Sequence, residues 1–262
     1  MRPSELETMY RLEDTYWWFV ARRELVMALV RRFASAPGPL TILDVGCGTG
    51  ATLKELSSLG QAIGLDLAED ALSFCRSRCR THLARGSAES LPFASNTLDL
   101  VTVLDVLEHL EDDGTALREI ARVLRPGGEA VLTVPAFPML WSEHDEALDH
   151  KRRYRARSFR RLIAQAGLQV EFLSHAIFLV FAPTVAFRLV QRWMRDPGRR
   201  PQTALISLPG WCNQLLVRVL RLEGKVLVRA PLPIGVSLVA VVRKGRDDGP
   251  RHGPDQLCGT AL

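Results

Sequence analysis

The run Leu40–Val45 has the length and apolar character of a buried strand, and it empties directly into Gly46-Cys47-Gly48-Thr49-Gly50 before a helix-forming stretch starts at Ala51. Alternating glycines at a strand-to-helix junction constrain a fold strongly, because they permit a tight turn and let main chain approach an occupant of the crevice above it. The pattern then repeats. Ala62–Leu67, His82–Gly86, Leu98–Leu104 and Glu129–Val134 read as further strands, with Ala51–Leu59, Ala68–Arg80 and Gly114–Leu124 as helices among them. Such alternation predicts right-handed βαβ units and a parallel sheet covered on both faces.

Around this core the sequence predicts added elements. Residues 4–35 carry Leu25, Val26, Leu29, Val30 and Phe33 at helical spacing, until Ala36-Pro37-Gly38-Pro39 ends the run. Beyond Pro135 come a His-rich loop, a helix over Ser158–Ala166, a strand over Leu168–Leu173, helical stretches at 176–194 and 208–229, and a strand over Gly235–Val242. The expected division is an N-terminal helical extension or lid (1–39), a core (40–175), a helical cap insertion (176–232), a last core strand (233–243) and a disordered tail (244–262).

With 47% hydrophobic and 24% charged residues among 262, the chain can bury a large core, which excludes a mostly disordered protein. The N-terminus has no apolar h-region, and the longest apolar run, Ala176–Phe187, contains Pro183 and falls short of the roughly 20 residues a membrane-spanning helix needs. Five cysteines at unmatched spacings argue against a secreted disulfide framework. The expectation is cytoplasmic. Cys75 and Cys79 share a helical face but have no nearby third and fourth ligands, and no metal is expected.

Twenty residues beyond Gly46, at the end of the next strand, Asp66 stands where a carboxylate accepts hydrogen bonds from both ribose hydroxyls of an adenosine cofactor. A dinucleotide would call for G-x-G-x-x-G, whereas position 51 is Ala and the third glycine is Gly50. Asp44, a carboxylate just before the loop, sits poorly beside a pyrophosphate and suits a cofactor carrying an ammonium and a sulfonium.

These residues resemble the class I S-adenosylmethionine (SAM)-dependent methyltransferases, in particular the group containing ubiquinone-type and related small-molecule enzymes. Leu43–Gly50 is similar to their first motif, Gly86–Phe93 to their adenine loop, Leu98–Leu110 to the fourth strand with its L-x-H-L ending, and Leu124-Arg-Pro-Gly-Gly128 to the turn into the fifth strand. The resemblance implies an α/β, Rossmann-like, seven-stranded and mostly parallel sheet with an antiparallel last strand. It implies SAM as cofactor, with Asp44, Gly46 and Gly48 at the methionine end, Asp66 on the ribose, and Cys47 and Gly50 in the same cofactor-binding loop. The resemblance places Leu67 and Ala88 against the adenine, Ser87 in the adenine loop and the Leu104 main chain near the amino group. Ser87 departs from the Asp common in the family, removing a charge-assisted bond to the adenine amine.

The acceptor half is read from chemistry. SAM carries an activated methyl, so the protein must align a nucleophile in line with it and, for an oxygen acceptor, remove a proton. No metal is required. The loop after the fifth strand supplies His144 and His150 as candidate bases beside Asp145, and His109 of the fourth-strand motif is a third. Trp17, Asp145, Arg153 and Tyr154 are candidate substrate contacts. The segment also resembles a set of bacterial methyltransferases with an H-D-x(4)-H-x-R-R-Y stretch and a closing L-P-x-G-x-S-L strand, here Leu232–Leu238.

Seven basic residues lie within Lys151–Arg161, and Arg218, Arg221, Lys225 and Arg229 recur at helical spacing, with Cys212, Leu215, Leu216, Val219, Leu222 and Val226 expected on the opposite, packed face. An anionic partner follows: a lipid-linked or phosphorylated small acceptor, with peripheral contact on the inner face of a membrane. Two rival readings stand beside it, an RNA-binding methyltransferase and a non-catalytic scaffold of the same fold. The chain lacks an aromatic-interleaved platform for single-stranded RNA, and its intact glycines and Asp66 weigh against the scaffold.

Overall fold

The computed structural model describes residues 3–34, 38–193 and 208–246. The predicted N-terminal helix is two helices, α1 (Pro3–Leu12) and α2 (Trp17–Phe33), broken at residues 13–16. The break has a physical cause. The buried Glu13 carboxylate accepts the Thr49 hydroxyl of the glycine loop, and the Glu13 carbonyl accepts the Arg23 guanidinium, so both are turned inward and away from a continuous helix.

The core follows as β1 (Leu40–Val45), α3 (Ala51–Leu56), β2 (Gly60–Asp66), α4 (Glu69–Arg78), β3 (His82–Arg85), β4 (Leu98–Leu104), α5 (Asp113–Val123) and β5 (Leu124–Pro135). Then come α6 (Glu143–Ala147), α7 (Ala156–Gln165), β6 (Leu168–Ala176), α8 (Phe181–Trp193), α9 (Gly210–Leu227) and β7 (Ser237–Lys244). The seven strands form one sheet in the order β3-β2-β1-β4-β5-β7-β6. The first five are parallel, while β7 runs antiparallel to both β5 and β6. This is the expected seven-stranded α/β sheet with its reversed last strand.

β1, β4, β5 and β7 are buried almost throughout, as near-continuous apolar strands covered on both faces must be. One face packs against α2, α3 and α4, the other against α5 and α7. The Pro126-Gly127-Gly128 turn is absorbed into an irregular start of β5, where the register against β4 shifts between Leu98 and Leu100. β6 extends to Ala176, so helix α8 begins later than the apolar run suggested.

α9 packs on α2. Asn213 accepts the Trp17 main-chain N–H and donates to the Thr15 carbonyl, and the buried Glu223 carboxylate accepts the N–H groups of Phe178 and Leu179 at 2.9 and 3.0 Å. The expected tail falls mostly outside the described residues, as does Cys258. Among the described residues no helix is long and apolar enough to cross a membrane.

Candidate functional site

The carboxyl ends of β1, β2, β4 and β5 converge at one edge of the sheet, where an open α/β fold places its ligand crevice. Gly46 has φ +70°, and a Cβ there would lie 2.4 Å from Val106 Cγ2; Gly48 has φ +54°, and a Cβ there would lie 2.6 Å from Met9 Cε. The loop is therefore glycine-dependent at both positions, with the segment just past β4 on one side and α1 on the other. Gly50 caps α3 in the left-handed conformation, and Cys47 is buried with its N–H on the Leu65 carbonyl.

Register explains the two carboxylates. Asp44 lies opposite Thr102 in the β1–β4 pairing, and its Oδ1 accepts the Thr102 hydroxyl at 2.6 Å. Burial pushes its carboxyl up to about 7, with the Thr102 bond offsetting part of the rise. Asp66, at the end of β2, accepts the Gly48 N–H at 3.0 Å through Oδ2 and the Ala68 N–H at 2.9 Å through Oδ1. A carboxylate has about four acceptor positions, so two remain for hydroxyls of a ligand. Beyond it Leu67 is 66% exposed, an apolar surface at the crevice edge, while Ala88 and Leu104 are buried. Ser87 Oγ accepts the Glu89 N–H at 3.1 Å, which leaves its hydroxyl hydrogen to be donated.

The N-terminal helices roof this loop. Besides the Glu13–Thr49 bond, Arg78 donates to the carbonyls of Thr49 and Tyr10 at 2.9 and 2.7 Å and lies over the Tyr10 ring. From α2, Arg22 pairs with Asp105 just past β4, and Asp105 also accepts the Thr133 hydroxyl of β5 at 3.0 Å. Arg22 also lines a mostly apolar cleft with Leu25, Ile177, Leu220 and Leu238.

At the β4–β5 end the candidate histidines meet. The rings of His109 and His150 are 4.8 Å apart, edge to face, and those of His144 and His150 are 6.4 Å apart. His150 Nδ1 is 2.9 Å from Asp145 Oδ1. Burial, then the neighbouring His150, lowers His109 to about 4; burial, then Arg188, lowers His144 to about 4. Both are neutral near pH 7, so the near-neutral basicity that suggested them from sequence is not the one the fold gives them. Asp105, Phe137 and Asp149, all flanking this region, adopt positive φ of 55°, 56° and 56°, and strain of this kind concentrates at functional sites.

Arg153, Asp145 and Tyr154 form a buried strap instead of an open face. Arg153 donates to Asp145 Oδ1 at 2.7 Å and to the Ala136 carbonyl at 2.9 Å, and the Tyr154 hydroxyl donates to Asp113 at 2.7 Å. Burial would raise the Asp145 carboxyl, but the His150 hydrogen bond and the Arg153 charge override it and hold it below the ordinary range. Trp17 packs edge-on against Trp18, and its main chain is tied to α9. The cysteine seam is closed, with Cys75 and Cys79 buried and their Sγ atoms 3.7 Å apart. Sequence reasoning did not single out Glu108, which is fully buried beside His109 with neither carboxylate oxygen hydrogen-bonded among the described residues. Its only signal was its place inside the L-x-H-L segment.

The basic run divides. Arg152 caps the Leu110 and Glu111 carbonyls and Arg153 is internal, while Arg155, Arg157, Arg160 and Arg161 are exposed. On α9 the expected separation of faces fails. Leu215, Leu222 and Val226 are 52%, 62% and 54% exposed, next to exposed Arg218, Arg221, Lys225 and Arg229, and Trp211 is 70% exposed. The helix packs through Leu220, Glu223 and Leu227 instead, a different arc of its surface.

Comparison with known proteins agrees with this arrangement. Residues 43–132 match the family described as "Methyltransferase domain". A demethylmenaquinone methyltransferase of Lactiplantibacillus plantarum is 43% identical over 101 residues, 34% of this chain and 43% of that protein. A protein of Mycolicibacterium smegmatis named a probable S-adenosylmethionine-dependent methyltransferase is 31% identical over 163 residues, 61% of this chain and 62% of its own length. The chain thus spans only about half the length of these curated relatives. The crystal structure of an S-adenosylmethionine-dependent methyltransferase from Mesorhizobium loti superposes with a TM-score of 0.56 at 18% identity, covering 83% of this chain and 96% of that one, which bears on fold alone.

Proposed function

We propose that the chain, whose residues 43–132 match the methyltransferase-domain family, is a class I S-adenosylmethionine-dependent methyltransferase that moves a methyl group from SAM to an oxygen, nitrogen or carbon of a small, hydrophobic or lipid-like acceptor bearing negative charge. The observation that carries this reading is the Asp44–Gly46–Gly48–Asp66 arrangement, in which Asp66 already braces the glycine loop and keeps acceptor positions free. Asp44, among the loop's main chain, faces the methionine ammonium, and Asp66 takes the ribose hydroxyls. The adenine lies against Leu67 and Ala88, with the Leu104 main chain nearby.

In-line displacement needs little from the protein beyond alignment and exclusion of water, since the sulfonium is already a good leaving group. The roof of α1 and α2 supplies the exclusion. The acceptor enters between the apolar cleft and the wall of His109 and His150, which receives its polar atom. His144 and Asp145 support that wall from behind. The exposed apolar and basic stripe of α9 supports delivery from an anionic lipid surface, because cations and apolar side chains share one accessible face.

The test joins binding to turnover. Calorimetry should show one SAM per chain for the wild type and for His144→Ala and His150→Ala, with methyl transfer to an extracted lipid fraction retained only by the wild type. Absence of SAM binding to the wild type would remove the reading in favour of a scaffold, and full turnover in both variants would remove the histidine wall.

A further inference from the structure

The ring nitrogens of His109 and His150 and a carboxylate oxygen of Glu108 all lie within 4.8 Å of one another. We infer that these three side chains form a binding site for a first-row divalent cation of the zinc, iron or manganese type beyond the carboxyl end of β4. The role of the ion rests on the methyl-transfer reading; its binding does not.

Three features beyond proximity support the site. Glu108 is wholly buried, and both of its oxygens lack a hydrogen-bond partner among the described residues. A buried carboxylate in that condition is costly unless something satisfies it. Arg22 and Arg153 are the nearby cations; Arg22 pairs with Asp105 while its buried Nε has no hydrogen-bond partner, Arg153 pairs with Asp145, and neither is hydrogen-bonded to Glu108 among the described residues.

The second feature is the far side of the His150 imidazole. His150 Nδ1 bonds the Asp145 carboxylate at 2.9 Å, and the His109 ring lies edge to face on the His150 ring at 4.8 Å. The His150 ring thus has one nitrogen fixed by a carboxylate and a second nitrogen available as a ligand. A metal-ligating histidine is held in this way by a carboxylate or main-chain carbonyl, which sets its tautomer and raises its basicity.

Third, the donor set matches the ion. Two imidazoles and one carboxylate suit a borderline cation rather than magnesium or calcium, which prefer all-oxygen surroundings. Ligands about 2.1 Å from a common ion lie at most about 4.2 Å apart, so the present 4.8 Å limit closes with small side-chain rotations. Three protein ligands leave at least one position open. An acceptor hydroxyl or carbonyl oxygen bound there would be oriented, and a hydroxyl acidified, next to the transferable methyl.

Cobalt(II) tests the site without reliance on turnover. Full-length protein stripped with chelator and titrated with CoCl2 should develop a saturable visible ligand-field band at one ion per chain. The band should weaken at least tenfold in apparent affinity in His109→Ala, His150→Ala and Glu108→Gln, and stay unchanged in His82→Ala on β3. Glu108→Asp, which keeps a shortened carboxylate, serves if Glu108→Gln fails to fold, and should retain a weaker band. SAM calorimetry on the same samples separates the two readings. SAM binding with no saturable cobalt band, or an equal band in all three ligand variants, overturns the site and leaves methyl transfer standing. A band that depends on the three ligands, without SAM binding, supports the site and removes the methyl-transfer role.

Discussion

Replacing Asp44 by Asn should make the ligand-free protein more stable at alkaline pH while weakening its hold on SAM. Asp44 is 2% exposed, and burial raises its carboxyl from 3.8 to about 7. Between those values the folded protein binds a proton that the unfolded chain has released, so stability falls as pH rises and the loss is complete above about 7. A carboxyl held at about 7 in place of 3.8 corresponds to roughly 4 kcal/mol over the whole pH range. Asn keeps an acceptor for the Thr102 hydroxyl but adds a buried amide that costs about 1–3 kcal/mol if unsatisfied. That cost does not vary with pH, so the double difference is the clean quantity. The melting temperature of Asp44→Asn minus that of the wild type should be more positive at pH 8.5 than at pH 5. Because part of that loss has already occurred at pH 5, roughly 2.7 kcal/mol separates pH 5 from pH 8.5; at roughly 2–4 °C per kcal/mol for a chain of this size, the increment is about 5–11 °C as an upper limit, and about half of that if water relaxes the site. SAM affinity of the wild type should rise with pH up to about 7, as the carboxylate that faces the ammonium forms. In Asp44→Asn affinity should be ten- to a hundredfold lower, from the loss of a charged hydrogen bond worth about 1.5–3 kcal/mol. Scanning calorimetry across pH and SAM titration measure both. A melting difference that does not change from pH 5 to 8.5 would refute the buried-carboxylate argument, and undiminished SAM affinity would refute the ammonium assignment.

Other consequences are as direct. Gly46→Ala places a methyl 2.4 Å from Val106 Cγ2 at a φ of +70°, and should abolish detectable SAM binding and destabilise the fold by about 1–3 kcal/mol, read by calorimetry and urea unfolding. Asp145→Asn leaves Arg153 buried without its carboxylate and should cost about 3–5 kcal/mol in urea unfolding. Because the folded-state pKa of Asp145 is depressed, that deficit should hold above about pH 4 and shrink only in stronger acid. The wild type should co-sediment with phosphatidylglycerol vesicles at low salt and not with phosphatidylcholine vesicles. Joint Arg218→Glu and Arg221→Glu substitution should reduce this several-fold, and equal sedimentation of the variant would detach α9 from any lipid role.

Much of the core is legible in sequence because its signals are local. Leu40–Val45 is a strand by its apolar run and Gly46–Gly50 is a turn by its glycines, whichever neighbours they acquire. Asp66 is legible because a fixed spacing carries it to the end of the next strand. Where a residue's role depends on what packs against it, the sequence is silent. The α9 face was misassigned because periodicity gives the angular separation of Leu215, Leu222 and Val226 from other residues, and not which arc meets α2. His144 and His109 carry the right functional group, but burial and neighbouring cationic or imidazole groups, all tertiary effects, set their proton affinity. Glu108 and His150 lie far apart in sequence and meet only because β4 and the loop after β5 end at the same edge.

The sequence by itself determined the βαβ core, the glycine-dependent loop at the end of β1 and the carboxylate at the end of β2, since each follows from spacing within a few turns of chain. Tertiary structure alone decided that α1 and α2 roof that loop through Glu13 and Arg78, and that Asp145, Arg153 and Tyr154 are internal braces. It also brought Glu108, His109 and His150 into one cluster. Those outcomes depend on desolvation and on contacts between distant segments, and these exist only once the sheet has closed and the helices have packed against it.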